Sequence, residues 1–299
     1  LILLQKPKMI KNIKVLRFNH ILKNLLILAP ILGAQGFAVE FDYILFINGF
    51  VSFSLLTLIC YLVNDYTDKK IDKKNILKKG LSSPITRRDF FSILIVLLTI
   101  FLLQSYFTKI LINYFLFIYF FNFIIYNFYL KRTKYFDLLI LNNFYIIRIL
   151  FGAELFKIDI TLGFLAFFYF LFLGLSISKR VIQVTSNKLK IGNIISPYNL
   201  KDQILLKNLV FLSFVITFVI LIIFILNINE IINLKENFFL PSFLNPSEVA
   251  VLFSFYTIWI IRCFILIKQN SIEIDIFKYF LKDKFSYVLL AIYAVVFIS

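Results

Sequence analysis

The residues best suited to do chemistry lie in one polar stretch, residues 64–72, which reads NDYTDKKID. At about 100° per residue in a helix, spacings of three and four put Asp65, Asp68 and Asp72 on one face, so their carboxylates converge. Converging carboxylates repel one another unless a cation lies between them. Hard oxygen ligands suit Mg²⁺, which completes its shell with water and substrate phosphates. The spacing therefore predicts a magnesium site, and it leaves open a solvated acidic turn neutralised by nearby lysines.

The composition indicates that this stretch belongs to an integral membrane protein. Hydrophobic residues make up 61% of the chain and aromatic residues 19%, with a mean hydropathy of +0.91, whereas soluble domains are about 45–50% apolar. Cys60 and Cys263 are the only cysteines, and His20 is the only histidine. These counts exclude a disulfide framework and a cysteine-based metal site, and they argue against histidine–metal chemistry and a Ser-His-Asp triad.

Nine apolar segments are candidates for crossing a bilayer, whose hydrocarbon core of about 30 Å needs roughly 20 residues of helix. They cover residues 21–39, 43–63, 90–108, 110–129, 137–156, 160–178, 208–228, 247–267 and 285–298. We predict an all-α integral membrane protein with about nine transmembrane helices. A cytoplasmic N-terminal segment, residues 1–20, would precede a single transmembrane domain, residues 21–299.

The basic residues predict the orientation and the class of partner. The formal net charge is +16. Of the 32 basic residues, 27 lie in the N-terminal part up to Lys23 or in the even-numbered loops, and the other five are Lys109, Lys157, Lys235, Arg148 and Arg262. By the positive-inside rule, the N-terminus and the polar stretch 64–72 are cytoplasmic, and an odd number of spans puts the C-terminus outside. Charge gathered in membrane loops favours membrane lipids and phosphorylated ligands over nucleic acid. The predicted location is the inner (cytoplasmic) membrane, crossed several times.

The loop after the polar stretch is strongly basic. Its positive residues are Lys69, Lys70, Lys73, Lys74, Lys78, Lys79, Arg87 and Arg88. Such charges anchor a loop to anionic lipid, each contributing around 1 kcal/mol. They are equally what a diphosphate needs, and anchoring alone would not require the carboxylates. Further donors at the same predicted surface are Tyr126, Lys131, Lys179 and Arg180.

Two arginines, Arg148 and Arg262, lie inside predicted spans. An ionisable residue in a span usually faces a cavity or a partner, so both are candidates for binding an anionic headgroup. For Arg262, snorkelling toward the interface is the alternative. Glu154, in the same span as Arg148, is interpreted as a partner or interface residue rather than a catalytic acid.

A second acidic cluster is missing from the loop after the sixth span. Between Ser178 and Lys207 the only acid is Asp202. The sequence therefore provides one strong Mg²⁺ site, which favours one pyrophosphate-bearing substrate over a site clamped by two acidic motifs.

Together these features resemble the UbiA superfamily of intramembrane prenyltransferases. Its first motif, NDxxDxxxD at the end of the second span, is matched by Asn64, Asp65, Asp68 and Asp72. Within the superfamily the chain is most similar to the decaprenyl-phosphate phosphoribosyltransferase branch, over nearly its whole length. The matching stretches are Arg17–Asn24 followed by LLILAP, Tyr126–Asp137 with Arg148, Ser178–Arg180, Arg262 and Lys282–Lys284. The chain departs from that branch at Phe18, Ile21, residues 83–86 (SPIT, without the usual arginine) and Gln183.

The resemblance implies a UbiA-like helical bundle that transfers a phosphoribosyl group from phosphoribosyl pyrophosphate (PRPP), or uses another diphosphate donor, with a polyprenyl phosphate lipid as the acceptor. It implies that Asp65 and Asp68 bind catalytic Mg²⁺, supported by Asn64 and Asp72. The residues expected to orient the phosphates of the donor are Lys78 or Lys79, Lys131, Lys179 and Arg180. Arg17 and Lys23 would hold the headgroup of the acceptor. Tyr126, Arg148 and Arg262 are expected to bind substrate.

Three other functions stay open at this point. The first is a UbiA-type prenyltransferase that moves a prenyl group from a prenyl diphosphate to an aromatic or other acceptor, although such relatives carry a second acidic cluster. The second is an ion-coupled or phosphate-binding transporter, which would have acids and broken helices near the middle of the membrane. The third is a membrane scaffold without activity.

Overall fold

The computed structural model describes residues 18–33, 42–69, 86–107, 110–188, 197–225, 257–263, 265 and 283–288. Over these residues the protein consists of helices and their connections. A 3₁₀ helix, Phe18–Leu28, leads into α1 (Ala29–Gly33). The longer helices are α2 (Tyr43–Thr67), α3 (Arg87–Tyr106), α4 (Ile110–Ile124), α5 (Phe136–Phe156), α6 (Leu162–Lys188) and α7 (Gln203–Ile225).

Five helical segments of the described residues are long and apolar enough to cross a membrane. They are Tyr43–Thr67, Arg87–Tyr106, Phe136–Phe156, Leu162–Thr185 and Leu200–Ile223. Two shorter apolar helices, Ile21–Ile31 and Tyr114–Leu130, coincide with the first and fourth predicted spans. The eighth and ninth predicted spans lie largely outside the described residues. The prediction of a helical membrane protein is confirmed, whereas the count of nine and the orientation of the termini stay predictions.

The chain divides into two compact units. The first comprises Leu1–Ile31, Glu40–Lys131 and Ile147–Ile158, and the second comprises Leu32–Val39, Arg132–Ile146 and Asp159–Ser299. Helix α5 contributes its first half to the second unit and its second half to the first.

In the first unit, α2 packs against α3 and against the 3₁₀ helix Phe18–Leu28. Side-chain caps fix the start of both long helices: Asp42 accepts from the Leu45 N–H at 2.9 Å, and Thr86 accepts from the Asp89 N–H at 3.1 Å. Such caps satisfy backbone donors that a helix start leaves free. Near the end of α2, the Tyr66 ring stacks on the Phe90 ring of α3, with 4.0 Å between the ring centroids. The polar stretch 64–72 thus begins on a helix that is held on two sides.

In the second unit, α6 packs along α7. Their contact contains the buried side chains Ile177, Val181, Ile182, Val184, Leu206, Val210 and Phe214. Helix α6 ends at Lys188, well beyond the predicted span 160–178. The hydropathy pattern detects only the apolar part of such a helix, whereas Lys179, Arg180 and Gln183, which follow it, are good helix formers. Lys179 and Arg180 therefore lie within a helix instead of in a loop.

Candidate active site

The polar stretch 64–72 begins in the last turn of α2. Asn64 and Asp65 lie within the helix, and Asp68 follows its end, donating its backbone N–H to the Asn64 carbonyl at 2.9 Å. The Asn64 Nδ2 donates to Asp65 Oδ1 at 3.4 Å. Three of the four predicted metal ligands are thus grouped on one helix end, and the fourth, Asp72, lies outside the described residues.

Lys131 brings a positive charge to this helix end. Its Nζ donates to Asn64 Oδ1 at 2.6 Å and forms an ion pair with Asp68 Oδ2. The Lys131 and Asp68 side chains are only 23% and 13% exposed, and opposite charges attract more strongly there than in bulk water. The structure therefore brings a predicted phosphate-binding lysine onto two of the predicted metal ligands.

A π-helical turn positions Lys131. Helix α4 continues into a π-helix, Ile125–Leu130, and the Lys131 N–H donates to the Tyr126 carbonyl, five residues back, at 2.8 Å. From the same turn, Asn127 Nδ2 donates to Thr67 Oγ1 at 3.4 Å, and that hydroxyl donates to the Asn64 carbonyl at 2.9 Å. Turns of this kind occur frequently at functional sites. Here the turn presents Asn127 and Lys131 to the same end of α2.

The end of α2 can supply the protein ligands of a magnesium site, from Asn64, Asp65 and Asp68, with Lys131 beside them. Its amide and carboxylate oxygens are hard ligands, and two of them already face a cationic group, the Lys131 ammonium. Among the described residues, no cluster of three or more His, Cys, Asp or Glu side chains forms a complete metal site. Mg²⁺ commonly takes one or two carboxylates and fills its other positions with water and phosphate. Asp65 and Asp68 meet that requirement.

Arg148 is held in a buried polar cluster of the first unit. It is 2% exposed. Its Nε donates to Asn24 Oδ1 and its Nη2 to the Tyr119 hydroxyl, both at 2.9 Å. Asn24 in turn donates to the hydroxyl oxygens of Ser54 and Thr57 on α2. The guanidinium therefore links the 3₁₀ helix, α4 and α5 within the first unit, whereas the sequence analysis expects it to bind substrate.

Arg148→Lys is expected to lower the free energy of unfolding by about 2 kcal/mol, since a single ammonium does not reproduce two directional hydrogen bonds from a charged group. The measurement is thermal unfolding in lipid nanodiscs, with the exposed Arg132→Lys as the matched control. A loss of substrate affinity at unchanged stability would contradict this structural role and favour substrate contact.

The second unit has its own buried polar cluster around Asp137, a residue that is 0% exposed. Arg180 Nη2 pairs with Asp137 Oδ2 at 2.7 Å, and its Nη1 donates to Gln183 Oε1 at 2.7 Å. The Tyr198 hydroxyl donates to Asp137 Oδ1 at 2.6 Å. Burial, and then this hydrogen bond, raise the pKa of Tyr198 above its usual value, so the hydroxyl keeps its proton. Asp137 thereby fixes the orientation of the predicted phosphate ligand Arg180.

Residues 198–202 also hold the turn that precedes α5. Tyr135 has a φ of 67°, in the left-handed region that bulky residues rarely adopt. Its N–H donates to the Tyr198 hydroxyl oxygen at 2.8 Å. Beside it, Lys134 pairs with Asp202 Oδ2 at 2.7 Å, and that oxygen also accepts from the Asn199 N–H. The strained turn is therefore maintained by contacts to the segment that precedes α7.

Tyr198→Phe is expected to lower stability by about 1–3 kcal/mol, because it leaves a buried carboxylate oxygen and a backbone N–H without their partner. Thermal unfolding measures the change. The control is Tyr135→Phe, which removes the hydroxyl of an exposed residue and should change stability by no more than about 0.5 kcal/mol. Equal stability of the two variants would contradict the role of the Tyr198 hydroxyl.

Arg262, the second predicted intramembrane arginine, pairs with Asp283. Its two terminal nitrogens reach the two carboxylate oxygens at 2.6 and 2.8 Å. The Ser286 hydroxyl donates to Asp283 Oδ2 at 2.8 Å, and the guanidinium lies 4.2 Å from the Phe285 ring centroid. Partial burial acts to raise the pKa of Asp283, but the bonds from Arg262 and Ser286 outweigh it and hold that pKa below its usual value. The arginine thus ties together two segments of the second unit.

The remaining predicted site residues are placed as follows. Lys23 is half-buried on the 3₁₀ helix next to Asn24, and Lys179 is half-buried on α6 next to Arg180. Arg17, Asp72, Lys78 and Lys79 lie outside the described residues.

The sequence analysis missed several polar residues that the structure connects to the site residues. Asn24 and Asp137 were within matched stretches, so the resemblance already carried a signal for them. Asn127 also lies within a matched stretch, but neither it nor Tyr198 was a candidate, because one amide or hydroxyl among many in this composition does not stand out. Only the π-turn and the packing around Asp137 reveal them.

Comparison with known proteins gives the fold and the family. A solved structure of digeranylgeranylglyceryl phosphate synthase in membranes is similar to this chain, with a TM-score of 0.60, 17% identity and 97% of each chain covered. At that identity the similarity shows the fold alone. A search of curated protein sequences found no match. The model of the UbiA prenyltransferase family matches residues 26–234, which is most of the chain and includes the polar stretch at the end of α2. The chain therefore belongs to the UbiA prenyltransferase family.

Proposed function

We propose that this multi-pass membrane transferase catalyses Mg²⁺-dependent transfer of a phosphoribosyl group from PRPP to a polyprenyl phosphate at the cytoplasmic face of the inner membrane. The observation that carries the proposal is the grouping of Asn64, Asp65, Asp68 and Lys131 at one helix end. It combines hard oxygen ligands for a metal with an ammonium group for a phosphate.

In the proposed reaction a phosphate oxygen of the lipid bonds to C1 of the ribose as the bond from C1 to the pyrophosphate oxygen breaks. Pyrophosphate leaves with the electron pair of that bond. Mg²⁺ bound by Asp65 and Asp68, with Asn64 and Asp72 in support, would neutralise charge on the departing pyrophosphate. The Lys131 ammonium would orient and stabilise the same group. The attacking oxygen is ionised near neutral pH, so the reaction needs no general base.

In the second unit, three acidic residues are already paired with basic side chains, which supports a metal site built from one acidic motif rather than two. Asp137 pairs with Arg180, Asp202 with Lys134, and Asp283 with Arg262. A carboxylate already paired with a basic side chain is a poor candidate for a second metal. Arg180 also keeps a buried Nε that has no hydrogen-bond partner over the described residues. We assign the role of orienting the phosphates of PRPP to Arg180, Lys179 and Lys78 or Lys79.

The acceptor headgroup is assigned to Lys23 and Arg17. Lys23 lies beside Asn24, whose bonds to Arg148 and to α2 fix that part of the 3₁₀ helix. A rigid support reduces the conformational entropy lost when a charged headgroup binds. In this proposal Arg148 and Tyr119 stabilise the part of the 3₁₀ helix that carries the acceptor site, without contacting the acceptor. Tyr126 and Arg262 likewise have an indirect role, since each stabilises the chain segment to which it is hydrogen-bonded.

The direct test incubates the purified protein in nanodiscs with radiolabelled PRPP, Mg²⁺ and a polyprenyl phosphate, and detects the labelled lipid by chromatography and mass spectrometry. The expected product is a phosphoribosylated lipid, formed with release of pyrophosphate. The absence of this product in a preparation that binds Mg²⁺ would contradict the proposal.

The second candidate is transfer of a prenyl group from a prenyl diphosphate to an aromatic or other acceptor, which the family membership itself favours. The same preparation, supplied with a prenyl diphosphate and an aromatic acceptor, distinguishes the two. A prenylated acceptor without any phosphoribosylated lipid would replace the first candidate by the second.

A further inference from the structure

The Lys131 ammonium contacts two of the oxygen atoms that are predicted to bind the metal. Its Nζ lies 2.6 Å from Asn64 Oδ1 and forms an ion pair with Asp68 Oδ2. The contacts join residues more than sixty positions apart in the sequence. The lysine is held there by the π-turn of α4, through the bond from its N–H to the Tyr126 carbonyl.

A metal ion and this ammonium need the same oxygens. Asn64 and Asp68 retain other lone pairs, but two cations a few ångströms apart repel each other strongly in a region that is largely shielded from water. Full occupancy by a divalent cation therefore requires the ammonium to withdraw from Asp68.

The Lys131 side chain is flexible enough to move when a diphosphate binds, and the phosphate oxygens would attract its ammonium group. Its ammonium is a compact charge on a flexible four-carbon stem, and the backbone of Lys131 is fixed independently of the side chain. Phosphate oxygens bound to the metal would offer the ammonium new acceptors beside its first position. The lysine would then exchange one set of anionic partners for another.

From this geometry we propose that Lys131 is an internal counter-cation that makes the binding of metal and of diphosphate depend on each other. The metal alone binds weakly because it displaces Lys131, and the diphosphate strengthens metal binding because it accepts the displaced ammonium. Such coupling is reciprocal by thermodynamic linkage. The inference rests on the proposed function, since it needs a diphosphate donor at this site.

The test measures Mn²⁺ affinity by electron paramagnetic resonance in nanodiscs, with and without inorganic pyrophosphate. Lys131→Met is expected to bind Mn²⁺ alone about tenfold more tightly than the parent protein, a change of about 1.4 kcal/mol. With saturating Mn²⁺, the same variant is expected to bind pyrophosphate more weakly. Lys131→Arg, which keeps the charge, should retain weak binding of Mn²⁺ alone. Lys201→Met, at an exposed lysine of the second unit, should change neither affinity.

The opposite signs of the two effects distinguish this role from a structural one. A lysine that only stabilised the fold would weaken both affinities when replaced, and that result would overturn the inference. Mn²⁺ affinity equal to that of the parent would also overturn it, while leaving the metal site and the proposed function in place. If the parent bound no Mn²⁺ even with pyrophosphate, the proposed site itself would fail. Lys131→Gln provides the same measurements if the methionine variant does not fold.

Discussion

Asp68→Ala is expected to lower the turnover number by about 10²–10³-fold, the range seen when one preorganised electrostatic group is removed from an active site. Asp68 is a predicted metal ligand, and it also forms an ion pair with Lys131. Its loss removes a negative ligand from the metal and leaves the Lys131 ammonium without one of its anionic partners. Both effects act on the charge that develops on the leaving pyrophosphate.

The measurement is the initial rate of lipid labelling at saturating PRPP over a range of Mg²⁺ concentrations. Asp159→Ala is the control, because Asp159 is an exposed carboxylate in the connection between α5 and α6 that has no predicted role in the site. Comparable thermal unfolding of the two variants would show that Asp68→Ala acts on the reaction. Full activity of Asp68→Ala at every Mg²⁺ concentration would remove Asp68 from the metal site.

Hydropathy predicted the apolar parts of the helices, which are the parts long enough to cross a membrane. The predicted spans 43–63, 90–108 and 137–156 correspond to α2, α3 and α5 within a few residues. Hydropathy did not detect where polar residues continue a helix, as at the end of α6. It also did not detect the change from α to π geometry at the end of α4, because that change alters backbone hydrogen bonds and leaves no apolar pattern.

The candidate site was predictable within one helix and much less so between helices. The spacing of Asn64, Asp65 and Asp68 along α2 follows from helical geometry alone. The contact of Asp68 with Lys131 depends on how two helices are rotated about their axes, which the sequence does not contain in readable form. For the same reason the partners of Arg180 and Arg262 were unforeseen, and both proved to be carboxylates of the protein itself.

Gly152→Ala is expected to cause the largest loss of stability of any single methyl addition at the described glycines. A Cβ at Gly152 would lie 2.0 Å from the Ile27 carbonyl oxygen and 2.8 Å from its carbon. These are backbone atoms of the 3₁₀ helix, so no side-chain rotation relieves the overlap. We expect destabilisation of more than about 3 kcal/mol, above the usual cost of overpacking.

Two other glycines supply a graded control within the same chain. A Cβ at Gly174 would meet side-chain atoms of Ser213 and Phe214 at 2.6 and 2.8 Å, and one at Gly49 would meet the methyl groups of Leu155 at 3.0 and 3.1 Å. Side chains yield more readily than backbone, so thermal unfolding in nanodiscs should rank the losses as Gly152, then Gly174, then Gly49. A loss at Gly174 that exceeds the one at Gly152 would contradict this order.

The consequence of Gly152→Ala should extend beyond packing to the polar cluster of the first unit. Gly152 lies one helical turn after Arg148, and Ile27 lies one turn after Asn24, so a displacement of the 3₁₀ helix from α5 would also lengthen the 2.9 Å bond between Arg148 and Asn24. Combining Gly152→Ala with Arg148→Lys should therefore cost less than the sum of the two separate losses, since both changes disrupt the same contact. Strict additivity of the two losses would show that the close approach and the buried arginine stabilise the helix pair independently.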